Sequence, residues 1–391
     1  MTDIEPFQIV VPEEDLNDLR SRLQRTRWPA EIPGTGWERG VPGGYLRELV
    51  DYWMNSYDWR VWEARLNALP QFTTVIDLQR IHFLHVRSAE PDALPLIITH
   101  GWPGSIVEIL ELAGPLTDPI GHGGDAADAF HIIAPSLPGF AFSTPVTEPG
   151  WNHHRIARAW VELMRRLGYQ RYGAHGGDTG FVVSPELGRI APAQVVGVHI
   201  YGGLEFDAIT PSDYEQLTNA ERERLAAIDW LHREATGYAA IQSTRPQTLG
   251  YALNDSPVGQ LAWIVDKFHD WTDPAKPLPD QAIERDHLLT NATLYWLTRT
   301  GSTSAHQYYE ARLRPAGSPI RSTVPTGIAV FPTDPSVRRV ADREHTIVHW
   351  TEYHRGGHFA ALEAPDLIVD DLRTFYRPLR PRRAVTRGRA R

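Results

Sequence analysis

Residues Tyr172 to Phe181 read YGAHGGDTGF. Glycines flank one carboxylate, Asp178, and an apolar run from Phe181 to Val183 follows it. Glycine lets a backbone turn sharply and lets a strand and a helix approach closely. A helix starting after the turn would aim unpaired N–H groups and a favourable field at the acid. Gly176-Gly177-Asp178-Thr179-Gly180 thus fits a strained strand-to-helix turn that lifts one side chain out of a sheet, with an acid in the lifted position. An acid between glycines also suits an ordinary surface turn. The flanking sequence decides between the two.

Outward from this turn, short apolar runs alternate with helical ones. LPLIITH (Leu94–His100) and HIIAPSLPG (His131–Gly139) read as buried strands. IVEILELAGPL (Ile106–Leu116) and HHRIARAWVELMRRLG (His153–Gly168) read as helices. Beyond the turn come a helix in GFVVSPELGRI (Gly180–Ile190) and a strand in QVVGVHIYG (Gln194–Gly202). The pattern resumes with GIAVFP (Gly327–Pro332), HTIVHWTEY (His345–Tyr353) and the helix PDLIVDDLRTFY (Pro365–Tyr376). Such alternation implies a mostly parallel sheet covered on both faces. Between the two halves, from about Leu204 to Thr300, the sequence is helical with polar loops and reads as a lid over the sheet. Ahead of them, VPEEDLNDLRSRLQRTRW (Val11–Trp28) has leucines at helical spacing behind an acidic first turn. Tyr45–Leu69 continues as one or two helices, and TTVIDLQRIHFLHVRS (Thr73–Ser88) as a strand pair.

A lifted acid needs partners to do chemistry. HGWPGS (His100–Ser105) directly follows the first buried strand. In an α/β-hydrolase the loop there gives one backbone N–H to an oxyanion, and the residue after the nucleophile gives the other. Those residues are Trp102 and Thr179. The order nucleophile, acid, histidine then assigns the rest. Asp334, in VFPTDP, takes the orienting acid's place, and His358, in RGGHFAALEAP, the general base's. Each has a bland alternative: a Gly-Pro turn, a turn aspartate, one structural histidine among 17. Their joint placement after successive strands carries the reading.

Composition narrows the classes. With 391 residues the chain makes one large domain with insertions, or two domains. A net charge of −9 gives no reason to expect nucleic acid. The absence of cysteine removes disulfides, thiolate metal sites and a cysteine nucleophile together. No apolar run approaches the ~20 residues that span a bilayer, and the N-terminus lacks a signal-peptide pattern. The chain therefore reads as soluble and cytoplasmic. No HExxH, Walker A or strand–GxGxxG–helix pattern occurs, so no metal or organic cofactor is expected. The basic end RPLRPRRAVTRGRAR (Arg377–Arg391) reads as a solvated, mobile terminus.

HGWPGS, GGDTG, ALNDSPVGQLAWI, VFPTD and RGGHFAALEAPDL together resemble the microsomal-type epoxide hydrolase family of α/β-hydrolases. The resemblance is co-linear over nearly the whole chain except the basic tail. Phe7 to Phe72 is similar to the family's N-terminal extension, which wraps the core and reaches over the lid. The chain lacks the apolar anchor of the membrane-bound animal members and resembles the soluble bacterial forms. The resemblance implies an α/β-hydrolase fold with a helical lid insertion and an N-terminal helical and β extension. The expected division is an extension (1–90), a first core half (91–203), a lid (204–300), a second core half (301–378) and a basic tail (379–391).

The implied reaction opens an epoxide to a vicinal diol. Asp178 attacks a ring carbon and forms an ester, which water can cleave. Two lid tyrosines donate to the epoxide oxygen in the family. TGYAAIQ matches one at Tyr238. SAHQYYEARL resembles the pattern S-x-R-x-Y-x-E and puts the second at Tyr308, with His306 replacing Arg and Tyr309 as the alternative. His358, held by Asp334, then activates water, and the Trp102 and Thr179 N–H groups stabilise the oxyanion. The expected partners are a small epoxide and water, not nucleic acid or membrane, with a homodimer left open.

Two other readings share the framework. A haloalkane dehalogenase would use the same Asp-His-Asp triad but commonly has Trp after the nucleophile, where this chain has Thr179. A non-catalytic binding protein of this fold would be marked by a broken triad. Trp is also usual after the nucleophile in epoxide hydrolases. Thr179 is therefore expected to widen the pocket floor and admit a bulkier or polycyclic epoxide, as in secondary metabolism.

Overall fold

The apolar runs become strands of one sheet. In the computed structural model, which describes residues 4–203, 209–313 and 320–380, nine strands lie in the order β1-β2-β3-β5-β4-β6-β7-β8-β9. These are β1 (Glu5–Phe7), β2 (Gln71–Ile76), β3 (Gln79–Val86), β4 (Leu94–Thr99), β5 (Phe130–Pro135), β6 (Tyr172–Gly177), β7 (Val195–Tyr201), β8 (Pro325–Val330) and β9 (Thr346–Glu352). The first three pair antiparallel, and β3 joins β5 antiparallel. From β5 to β9 every pair is parallel. The β2–β3 hairpin turns at Asp77 and Leu78, both with positive φ, as a tight hairpin loop on twisted strands requires. The three-residue β1 was not legible beforehand.

Strand side chains divide between two cores. On one face Ile97, Ala174 and Val198 pack with Ile156, Trp160 and Leu187. On the other, Leu96 and Ile98 pack with Leu112, Ile368 and Leu372. The covering helices are α5 (His153–Arg166) and α6 (Thr179–Ile190) on the first face, and α4 (Leu110–Thr117) and α17 (Pro365–Tyr376) on the second. Ahead of the sheet lie α1 (Glu13–Gln24), α2 (Gly43–Asn55) and α3 (Trp59–Asn67).

Between β7 and β8 come α7 (Pro211–Glu215), α8 (Asn219–Glu234), α9 (Gly237–Thr244), α10 (Pro246–Asp255), α11 (Pro257–Trp271), α12 (Pro279–Ala282), α13 (Arg285–Leu297) and α14 (Thr300–Ala311). Short helices α15 (Arg338–Ala341) and α16 (Ala360–Glu363) complete the set. The N-terminal helices fasten onto this insertion through polar groups. Trp53 donates to Thr293 (2.9 Å), Tyr52 to Asp286 (2.7 Å) and Tyr45 to Asp280 (3.0 Å).

Among the described residues no helix is long and apolar enough to cross a membrane. The basic terminus departs from the expected solvated tail at its start. Arg377 pairs with Asp128, a buried carboxylate. Arg380 donates to the Asp128 and Ala129 carbonyls and lies over the Phe130 ring. A buried acid and nearby backbone carbonyls attract guanidinium groups that sequence alone reads as free. The rest of the basic tail, like the first residues of the expected lid (204–208), lies outside the described residues.

Candidate active site

The parallel strands deliver the candidate residues to one edge. The chain runs from β4 out to β5 on one side and returns across to β6 on the other. The C-terminal ends of β4 and β6 thus flank a switch point, where open α/β sheets form their crevice. Trp102 follows β4, Asp178 follows β6, Asp334 follows β8 and His358 follows β9.

Asp178 has φ 52° and ψ −114° and leads directly into α6. Side chains other than glycine rarely hold such a φ, at a cost of roughly 1–3 kcal/mol. The glycines around it serve a close approach. A Cβ at Gly176 would lie 2.5 Å from the Thr99 carbonyl at the end of β4, and one at Gly180 would collide with the same oxygen. The elbow therefore presses against β4, and that brings the loop after β4 to Asp178.

The two carboxylate oxygens of Asp178 differ. Oδ1 accepts the Trp102 N–H at 3.0 Å and the Thr179 N–H at 2.7 Å. Oδ2 faces His358 Nε2 at 3.4 Å. Burial pushes this carboxyl up. The hydrogen bond and charge of His358, with the two N–H donors, prevail and hold it below the ordinary carboxylate range. The loop carrying Trp102 is pinned by α13: Tyr295 donates to the Gly104 carbonyl (2.8 Å) and Asn291 to that of Pro103 (2.6 Å).

His358 is 7% exposed, and its backbone N–H donates to the Trp271 carbonyl at 2.8 Å. Asp334 lies in the loop after β8, the place that chain order implied. Asp334 is buried, but its oxygens accept the Gly202 and Ser336 N–H groups, each at 2.8 Å. No hydrogen bond or ion pair among the described residues joins it to His358. Burial still pushes its carboxyl up, despite those donors. Gly202 stands between: its N–H meets Asp334, and a Cβ on it would lie 3.4 Å from His358 Nδ1.

The tyrosines come from the helical insertion. Tyr238, in the first turn of α9, stacks on Trp102 with centroids 5.1 Å apart and planes at 8°. Tyr308, in α14, meets Trp102 edge-on at 5.7 Å and Tyr238 at 5.6 Å. Burial, and then the Asp178 charge among other neighbours, push both phenols up, so both stay protonated donors at neutral pH. Tyr309 instead lies under the Arg312 guanidinium, 4.5 Å from its centroid. His306 lines a separate cavity of about 350 Å3 with Gln307 and Glu310.

Thr179 sits at the start of α6, directly after Asp178. It is buried, and its hydroxyl lies 3.2 Å from Asp178 Oδ1 and 3.3 Å from Gln307 Oε1. The Gln307 amide adjoins the Thr179 hydroxyl. Its Nε2 is buried without a partner. One hydroxyl proton cannot serve two acceptors, and the carboxylate is the stronger. An amide turned to present Nε2 to the Thr179 oxygen would give Nε2 an acceptor and leave the hydroxyl proton to Asp178.

Three further residues escaped the sequence reading. Trp271, at the end of α11, packs on His358 (5.0 Å) and Tyr238 (5.2 Å). Gln307 sits beside the better-marked Tyr308. Glu108 lies three residues past Ser105, a spacing that reads as a helix cap.

Residues 4–109 match the family model described as epoxide hydrolase N terminus. The chain is 46% identical to a Stigmatella aurantiaca protein with an epoxide hydrolase name, over 96% of this chain and 86% of that one. It is 34% identical to Epoxide hydrolase 1 of Sus scrofa, over 95% of this chain and 88% of that one. It superposes on the solved Aspergillus niger epoxide hydrolase with a TM-score of 0.83 and 31% identity, covering 96% of this chain and 97% of that one.

Proposed function

The chain belongs to the microsomal-type epoxide hydrolase family and hydrolyses epoxides; from that premise we propose that Asp178 is the nucleophile and that an Asp178 ester is the intermediate. The observation that carries this is the unequal environment of its two oxygens. Oδ1 is already held by two N–H donors, while Oδ2 has only His358 opposite it. Oδ2 attacks a ring carbon, and the C–O bond of the epoxide breaks. Tyr238 and Tyr308 donate to the alkoxide as it forms. A protonated phenol is suited to this, since its proton is needed only as charge develops.

Water then attacks the Asp178 carboxyl carbon as His358 takes one of its protons. Oδ1 becomes the oxyanion, between donors that need no rearrangement. One such donor is worth about 3 kcal/mol in the transition state. Collapse breaks the bond from the carboxyl carbon to Oδ2, which leaves in the diol and takes the proton from His358; the Asp178 acid so formed loses its proton to solvent, and the phenol that protonated the epoxide oxygen regains one from solvent. Asp334, behind Gly202, is the acid of the triad, and Gly202 links the two by meeting Asp334 through its N–H and lying beside His358 Nδ1. Helices α7 to α14 serve as the lid that brings the tyrosines over Asp178. Residue 179 and Gln307 together set the size of the epoxide admitted.

A single turnover of an aryl epoxide in isotopically labelled water tests the covalent route. The new diol oxygen comes from Asp178, so the first-turnover diol is unlabelled. Full solvent enrichment in that diol would rule out the ester.

A further inference from the structure

Glu108 has no part in the mechanism above, yet it adjoins the reacting groups. It ends the first turn after the Trp102 loop, in a 3-10 turn spanning Ile106–Ile109, and is 8% exposed. With Asp178, His358, Trp102 and Gly104 it lines a small void. The space there open to the centre of a water molecule is about 10 Å3, close to what one water needs. Its carboxyl reaches the void over Gly104, where any Cβ would collide with Oε1.

A capping role alone explains part of this. Ser105 accepts the Val107 N–H at 3.2 Å, and the Glu108 carboxyl accepts from the Ser105 backbone in return. Capping does not require the carboxyl to stand beside a second carboxylate. That position is unfavourable for an ionised acid. Burial, and then the Asp178 charge, push the Glu108 carboxyl up to about 8. In the resting enzyme it is therefore mainly neutral, able both to donate and to accept. The other titratable groups near it are His358 across the void and the phenols of Tyr201 and Tyr295, which feel its charge.

We propose that Glu108 is a positioning residue that holds the hydrolytic water in this void, between His358 and the Asp178 carboxyl carbon. The inference rests on the ester route given above. One water proton passes to His358, and the water oxygen bonds to the carboxyl carbon. The second hydrogen stays on that oxygen, hydrogen-bonded to Glu108. It leaves to solvent from the Asp178 carboxyl once the diol has departed. Alkylation of Asp178 also removes the negative charge that opposes an acceptor at Glu108, so the site becomes ready for water when the ester forms.

The test separates the two half-reactions by rapid quench and mass spectrometry of the Asp178 peptide. Glu108→Ala forms the ester at a rate within two-fold of the parent and hydrolyses it roughly 100-fold more slowly, so ester accumulates. Glu108→Gln, which still accepts and donates, recovers part of that loss. If Glu108→Ala does not fold, Glu108→Asp draws the acid back by one methylene and shows the same hydrolytic deficit. Equal slowing of both steps, or an unchanged hydrolysis rate, overturns the inference and leaves Glu108 a cap. His358→Gln is the reference. Ester trapped there but not in Glu108→Ala overturns this inference alone. Ester in neither overturns the covalent route and this inference with it.

Discussion

Two histidine–aspartate clusters lie on this sheet, and they differ in what is left unsatisfied. Behind β6, His199 meets Asp371 at 2.7 Å, His349 meets its other oxygen at 2.8 Å, and Thr351 donates to that oxygen at 2.9 Å. His175 adds a ring-to-ring contact with His199 at 3.0 Å. Burial pushes the Asp371 carboxyl up, and its two histidine partners pull it far below the ordinary range. Three residues further along the chain from His175, Asp178 has one oxygen fully engaged and the other facing His358 at 3.4 Å, beside a water-sized void. The His175 Nε2 is buried without a partner, but a carboxylate bonded through both oxygens, as in Asp371, rigidifies a core. One left open, with space beside it, is a group able to react.

The largest effect separates the two aspartates. Asp178→Asn should abolish turnover, a loss of roughly 10^4-fold or more, with little change in denaturant midpoint. Asp371→Asn should leave kcat within about two-fold and lower unfolding stability by about 3 kcal/mol, because buried partners lose their charge complement. If Asp371→Asn were as inactive as Asp178→Asn, the division between reactive and structural clusters would fail.

The histidines come next. His358→Gln should leave ester formation intact and slow ester hydrolysis roughly 10^3-fold, with covalent adduct visible on the Asp178 peptide. His199→Gln should show no adduct and an altered stability only. Adduct in both variants would mean that the buried network reaches the nucleophile.

Neighbouring tyrosines give a smaller contrast. Tyr308→Phe should slow ester formation roughly 10^2-fold, since Tyr238 remains as one donor. Tyr309→Phe, whose ring lies under Arg312, should stay within about 0.5 kcal/mol of the parent in stability and match its rate. Reversed results would reassign the second donor.

What was legible in the sequence follows these contrasts. The elbow could be read because its glycines answer a local need, the approach to Thr99. Asp178, Trp102 and His358 could be placed because chain order in a parallel sheet fixes which loop follows which strand. The tyrosines could not be placed that way. They belong to an insertion, and only resemblance to a family located them. Chain order also could not say what a side chain meets, such as the Gly202 and Ser336 N–H groups that the Asp334 oxygens accept. Trp271, Gln307 and Glu108 were invisible because their roles arise from packing across distant segments. Gln307 meets the Thr179 hydroxyl from a helix more than a hundred residues away in the chain.

The smallest contrast lies in the pH dependence of stability. His82, His100 and His175 are buried neutral. Burial first, and charged neighbours for some, push His100 down to about 4, His82 down to about 3 and His175 well below its usual value. Each folded value lies below the unfolded value of about 6.5. Their contribution is thus complete above about pH 6.5 and is lost as pH falls through the folded values, at about 1.4 kcal/mol per pH unit for each proton. Asp371 is also depressed, but from about 3.9, so its contribution is held down to about pH 4 and lost only below. The acid limb should therefore begin with the histidines and end with Asp371. His100→Gln, which can still accept the Leu137 N–H, should flatten the denaturant-midpoint curve between pH 6.5 and 4 by one proton's slope and leave the limb below pH 4 unchanged. Asp371→Asn should do the reverse. A single variant that altered both limbs would show that the buried histidines and Asp371 titrate as one unit, and the comparison would then have to be redrawn around the sheet they share.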